Sequence, residues 1–157
     1  MKHRTNATQG ICHFRNPKTL HDNGYAILTP YVDKTVITLD LYDLPSGLHG
    51  FHIHQLGDMR SGCQSLGSHY DPIGHSHKGL NQSGHIGDLG NIKVDNLGRC
   101  NQQIISNYLP LTGAYGVIGR GMIIHEKADD FGLGSDEESR KTGNSGARIS
   151  CGVIGFL

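Results

Sequence analysis

The 157-residue chain reads as an all-β domain. Twenty-three glycines without a collagen period point to many turns. Helical periodicity is scarce, and short alternating or apolar segments recur between turn residues. Thr35-Val36-Ile37-Thr38-Leu39-Asp40-Leu41 alternates cleanly and is predicted as a strand. Tyr25 to Leu28, Gly50 to His54, Gly90 to Val94, Gln103 to Ser106 and Gly121 to His125 follow the same logic. Asp95-Asn96-Leu97-Gly98 is a turn, and Cys151 to Leu157 closes the sheet. About eight strands at this spacing predict a sandwich or barrel.

Two stretches resist a strand reading: the Gly-, His- and Ser-rich run 57–90 and the charged run 126–147. Loops of this length inside a compact domain are usually functional. There is no repeat and no linker, so one domain, 1–157, is expected, with residues 1–10 as a polar N-terminal extension. That extension has no apolar segment, so no secretory signal is read, a cytoplasmic location is expected, and the sequons at Asn6 and Asn81 are expected to be unused. Fourteen basic and fourteen acidic residues cancel, which argues against nucleic acid as a partner. No apolar run reaches the roughly 18 residues of a membrane span.

Eleven histidines in a neutral chain point to metal or proton chemistry. His52 and His54, two apart on a predicted strand, share a face. His69, His75, His77 and His85 follow in the glycine-rich loop with Asp88 close by, and His125 ends an apolar strand. Imidazole suits zinc and copper, and a carboxylate can complete a zinc tetrahedron. Cys12, Cys63, Cys100 and Cys151 contain no CxxC pattern, and four reduced thiols are the default reading.

Gly47-Leu48-His49-Gly50-Phe51-His52-Ile53-His54 resembles the first copper-ligand motif of the copper,zinc superoxide dismutases. Gly84-His85-Ile86-Gly87-Asp88-Leu89-Gly90-Asn91 is similar to the end of their zinc loop. His125 to Asp130 and Lys141 to Arg148 resemble their last copper ligand and electrostatic loop, and Cys151-Gly152-Val153-Ile154-Gly155 their final strand. The resemblance implies an eight-stranded Greek-key β-barrel or flattened sandwich under two long loops. It implies dismutation of superoxide to oxygen and hydrogen peroxide by copper, with structural zinc.

By that resemblance His52, His54, His69 and His125 hold copper, while His69, His77, His85 and Asp88 hold zinc, with His69 bridging. Asp129 links His52 to His77 behind the metals, and Arg148 guides the anion beside copper. Thr142 and Lys141 shape the channel, with Glu137 and Glu138 contributing to its field. Cys63 and Cys151 form a disulfide, and Cys12 and Cys100 stay free. His49 matches a structural histidine, and His75 matches no ligand, so it is expected to be solvated. The resemblance also implies a homodimer, touching through Leu56-Gly57, Ile118-Gly119 and Val153 to Leu157. The segment between His77 and His85 is one residue shorter than in many animal members, and Gln55 and Met59-Arg60 depart from the common pattern. Such divergence resembles copies carried by large DNA viruses. The rival reading is a non-catalytic copper-binding or copper-delivery module on the same fold.

Overall fold

The computed structural model describes residues 8–157; the N-terminal extension up to residue 7, with His3 and the Asn6 sequon, lies outside them. Eight antiparallel strands form one sheet: β1 (Gly10–Arg15), β2 (Asp22–Pro30), β3 (Thr35–Leu41), β4 (Gly47–His54), β5 (Asp88–Val94), β6 (Cys100–Ser106), β7 (Gly121–His125) and β8 (Arg148–Phe156). Their spatial order is β5-β4-β7-β8-β1-β2-β3-β6. The sheet curls into a nearly closed barrel whose seam lies between β5 and β6, which the Asp95–Gly98 turn joins. Lys93 N donates to Gln102 Oε1 across that seam at 3.2 Å.

The β3 expectation matches to the residue, as does β7. β1 carries no sequence assignment of its own, because its inward positions are Gly10, Cys12 and Phe14, with only one large apolar side chain among them. The charged run contains a helical turn, α1 (Glu137–Thr142), which charge alone does not announce. Asp136 caps it by accepting the Ser139 N–H at 2.7 Å. A 3₁₀ turn spans Gly62–Leu66 in the other loop.

The inward face is a continuous core that includes Phe14, Leu28, Ile37, Leu39, Phe51, Ile53, Ile92, Met122, Ile124 and Ile154. Side chains alternate across a strand, so Phe51 and Ile53 in the core force His52 and His54 onto the outer face of β4. On β7 the same parity sends Met122 and Ile124 inward and Ile123 and His125 outward. β4 pairs with β7, and β7 with β8, so His52, His54, His125 and Arg148 start from three adjacent strands. The outer face is buried nonetheless, because both long loops fold over it.

The disulfide joins Cys63 in the first loop to Cys151 on β8 across 88 positions. With Leu66, Ile123 and Val153 it forms a second, smaller apolar cluster under that loop. Cys12 and Cys100 are free and buried. Opening the 88-residue loop should cost about 4–5 kcal/mol in a chain-entropy account. A Cys63→Ser/Cys151→Ser double variant is therefore expected to unfold at markedly lower denaturant than the parent. An unchanged midpoint would show that the crosslink does not constrain the unfolded chain.

Candidate metal centre

Seven side chains converge on the outer face of β4. His52 and His54 come from β4, His69 from an isolated bridge beside His54, His77 and His85 from the same loop, Asp88 from the start of β5 and His125 from the end of β7. All are buried except His85, which keeps an edge toward solvent.

One nitrogen of each imidazole is held by the protein. His52 Nε2 bonds Asp129 Oδ2 at 2.6 Å, His54 Nδ1 bonds the Gly67 carbonyl at 2.8 Å and His125 Nδ1 bonds the Gly146 carbonyl at 3.1 Å. His69 Nδ1 lies 3.1 Å from Asp88 Oδ1. The opposite nitrogens, His52 Nδ1, His54 Nε2, His69 Nε2 and His125 Nε2, are buried without a hydrogen-bond partner. These four residues place a ligand atom each within 4.8 Å of one another. Buried polar atoms left unpaired are costly. Four lone pairs turned to one point fit a cation that accepts nitrogen ligands, and imidazole suits copper.

The second group surrounds Asp88. Its Oδ1 lies 2.9 Å from His77 Nδ1, 3.1 Å from His69 Nδ1 and 3.2 Å from His85 Nδ1. Its Oδ2 accepts the backbone N–H groups of Lys78 and His85 at 3.0 and 3.1 Å. Ligands on a tetrahedral zinc stand roughly 3.3 Å apart when each bond is about 2.0 Å. The three N···O separations come close to such edges. Proximity also draws His52 toward His69, His77 and Asp88, but both His52 nitrogens already serve the quartet and Asp129, whereas His85 faces the Asp88 oxygen. Three imidazoles and one carboxylate are a zinc donor set.

Asp129 joins the two groups from behind. Its Oδ2 meets His52 and its Oδ1 meets His77 at 2.7 Å. Such outer partners fix the tautomer and orientation of ligating histidines. Two contacts that the sequence did not disclose hold it in turn. Asn91 Oδ1 accepts the Asp129 N–H at 2.6 Å, and Asn91 Nδ2 donates to the Asp129 carbonyl at 3.0 Å. At Gly143, with φ 72°, a Cβ would overlap Asp129 Oδ1 and His77. Asn91 stands inside the Gly84–Asn91 motif, which was its only sequence signal. His49, by contrast, has both ring nitrogens on backbone carbonyls, those of His125 and Pro45, and so offers no free lone pair.

Arg148 reaches the rim of the same cavity. Its guanidinium donates to the Cys63 carbonyl at 2.8 Å and to the Gly67 carbonyl at 2.7 Å. Gly67 O thus carries both His54 and Arg148. The Cys63–Cys151 link ties the loop that supplies these carbonyls to the strand that supplies the arginine. Burial lowers the pKa of the guanidinium, which still stays charged. The cavity, about 960 Å³, is lined by four cationic and three acidic side chains. Two of the expected channel residues are tied within α1. Lys141 Nζ pairs with Glu137 Oε1 at 2.7 Å, and Thr142 Oγ1 donates to Glu138. His75 is solvated at the rim, 3.9 Å from Asp71.

Residues 22–154 match the model of the copper/zinc superoxide dismutase (SODC) family. The chain belongs to that family. It is 46% identical over 121 residues to the extracellular superoxide dismutase [Cu-Zn] of Drosophila melanogaster, an alignment covering 76% of this chain and 67% of the fly protein. It superimposes along its full length on the whole crystal structure of the clock protein EA4, with a TM-score of 0.90 and 37% identity. The chain is a superoxide dismutase, an oxidoreductase whose metals are copper and zinc.

One expectation is overturned. The fly relative is an extracellular enzyme, so the cytoplasmic location inferred from ten polar residues does not hold. A disulfide is at home in an oxidising compartment. The case against glycosylation falls with it. Asn81 is exposed, although its carboxamide bonds the Ile105 carbonyl and the Asn107 N–H. Among the described residues no helix is long and apolar enough to cross a membrane.

Burial depresses the pKa of His52, His54 and His69, and draws His125 down to about 4. The quartet is therefore neutral, and ready to bind, across the physiological range. Burial also opposes charge on His77, but its hydrogen bonds to Asp129 and Asp88 outweigh that and raise it to about 9. Burial likewise opposes charge on Asp88, yet the hydrogen bonds from His69, His77 and His85 hold it well below the carboxylate range. Below pH 9 the metal-free chain thus carries a proton on His77 that an incoming cation must expel. Zinc binding at the Asp88 group is expected to release about one proton near pH 7.5, and none once the pH passes 9. Copper binding at the quartet should release none. Titration calorimetry in two buffers of different ionisation enthalpy measures the difference. Zinc uptake near pH 7.5 without proton release would contradict the paired state of His77.

Proposed function

We propose that His52, His54, His69 and His125 hold the copper and that His69, His77, His85 and Asp88 hold the zinc, so that His69 serves both. The observation that carries this division is the set of four buried imidazole nitrogens without partners, one from each copper ligand. Bound copper supplies a one-electron couple, by which one superoxide is oxidised to oxygen and a second, with two protons, is reduced to hydrogen peroxide. Zinc has no redox chemistry and fixes geometry.

The chain's own residues prepare the site for that exchange. Asp129 and the Gly67 and Gly146 carbonyls hold His52, His54 and His125 in the tautomers that turn their free nitrogens inward. With a zinc ion held at His69 Nδ1, on the Asp88 side, a proton carried by this ring would sit at Nε2, the atom facing the quartet. That is where a proton can be held for the departing peroxide. Arg148 is anchored by carbonyls rather than by a carboxylate, so its charge remains uncompensated and its other N–H groups can meet a small anion. The copper-delivery alternative finds little support, since Cys12 and Cys100 are both buried and offer no thiol pair at the surface.

The same reading extends to assembly and place of action. The enzyme works outside the cell, as the fly relative does. It forms a homodimer through Leu56, Gly57, Ile118, Gly119 and the segment 153–157, where Leu56, Phe156 and Leu157 expose apolar surface.

A neutral chain has no global attraction for an anion, so capture is local, and superoxide dismutase is itself a standard example of such steering. Arg148→Ala should slow dismutation at low salt by roughly tenfold, and Arg148→Glu by more, because it reverses the field. The parent rate should fall as salt rises, since screening acts over about 8 Å at physiological ionic strength. Copper content should be the same in all three proteins. A parent-like rate for copper-loaded Arg148→Glu would remove Arg148 from this role.

A further inference from the structure

Within the Asp88 group only His85 has an outlet to solvent. The side chains of His77, Asp88 and His69 are 0%, 1% and 3% exposed, whereas that of His85 is 10% exposed. An ion travelling to Asp88 therefore arrives past the edge of His85. Two cavities meet there: the wide one above the quartet, and a narrower one of about 330 Å³ walled by Ile73, Ile86 and Tyr108. His75 and His85 line both.

His75 stands at this shared rim with 41% of its side chain exposed. Among the described residues neither of its ring nitrogens makes a hydrogen bond, so a lone pair is free. Its Nδ1 is 3.9 Å from Asp71 Oδ1. That carboxylate is held in place by the N–H groups of Ile73 and Gly74, at 3.4 and 3.0 Å. Gly74, with φ 86°, has open space where a side chain would stand. Two residues further on, the same turn delivers the buried His77.

We propose that His75 and Asp71 form an entry station for zinc, which captures the ion at the rim and passes it to His85 and Asp88. The inference rests on the reading that the Asp88 group takes the zinc. Imidazole and carboxylate are both zinc ligands. A hydrated cation entering a buried site must exchange its waters for protein ligands. An imidazole at the rim replaces the first water while the ion is still exposed, and the neighbouring carboxylate attracts it. His75 then leaves the ion, because the final site already offers three imidazoles and a carboxylate. A group that binds only on the way lowers the barrier in both directions and leaves the equilibrium unchanged.

The test uses the full metal-free chain, zinc chloride and a chromogenic zinc chelator in stopped flow. His75→Ala should slow zinc uptake severalfold. It should slow release by the same factor and leave the dissociation constant unchanged. Asp71→Asn keeps the acceptor for the two backbone N–H groups and should slow uptake by a smaller factor. Unchanged uptake by His75→Ala would overturn the proposal. So would a weakened affinity at unchanged uptake rate, which would make His75 a resident ligand. His85→Ala tests the underlying reading separately: it should weaken zinc affinity at equilibrium, and intact affinity there would remove the zinc assignment and the proposal with it.

Discussion

The structure depends on two buried carboxylates that between them hold four of the six clustered histidines. Asp88 collects one nitrogen each from His69, His77 and His85; Asp129 takes one from His52 and the second from His77. What remains is a quartet of lone pairs with no partner in the protein. In a low-dielectric interior such atoms are destabilising until a cation satisfies them. The barrel tolerates this arrangement because its apolar core lies on the other side of β4 and β7 and does not depend on the metals. Both loops contribute side chains to the centre, and the first is also held by the small apolar cluster around the disulfide.

The loops are further secured by contacts that carry catalytic consequences. The disulfide brings the Gly62–Leu66 turn against β8, and from there the carbonyls of Cys63 and Gly67 hold Arg148. Because Gly67 also holds His54, a shift in this loop would move His54 and Arg148 together. On the opposite side Asp130 ties the second loop together by accepting from Ser139 and Asn144. With Lys141 paired to Glu137 and Lys127 3.9 Å from Glu126, Arg140 and Arg148 are the cavity's cationic side chains without an ion pair among the described residues. A chain of zero net charge can thereby still present local positive charge at the mouth of this cavity.

Much of the barrel was legible in the sequence, for an identifiable reason. β3 and β7 carry dense branched apolar residues between turn signals, and their limits were read to the residue. β1 was not, since Gly10 and Cys12 fill inward positions without advertising apolar character. The six residues of α1 have no apolar face, and their marks are at the ends: the Asp136 cap, the acidic first and basic last turn, and Gly143. In the centre, period-two logic placed His52 and His54 on one face. Nothing in spacing could bring His125, 71 positions beyond His54, beside them; the family resemblance did that. The clasp of Asn91 on Asp129 spans 38 positions and needs the folded sheet to exist. The cytoplasmic location failed because composition near a terminus is weak evidence of compartment.

The central claim is that one buried cluster holds two different metals in two defined sites with His69 between them. Anomalous diffraction from crystals of the metal-loaded chain, collected on either side of the copper and zinc absorption edges, tests it directly. Copper signal should appear only among His52, His54, His69 and His125, and zinc signal only among His69, His77, His85 and Asp88. Copper and zinc mixed at both positions, or a single metal position for the whole cluster, would contradict the account.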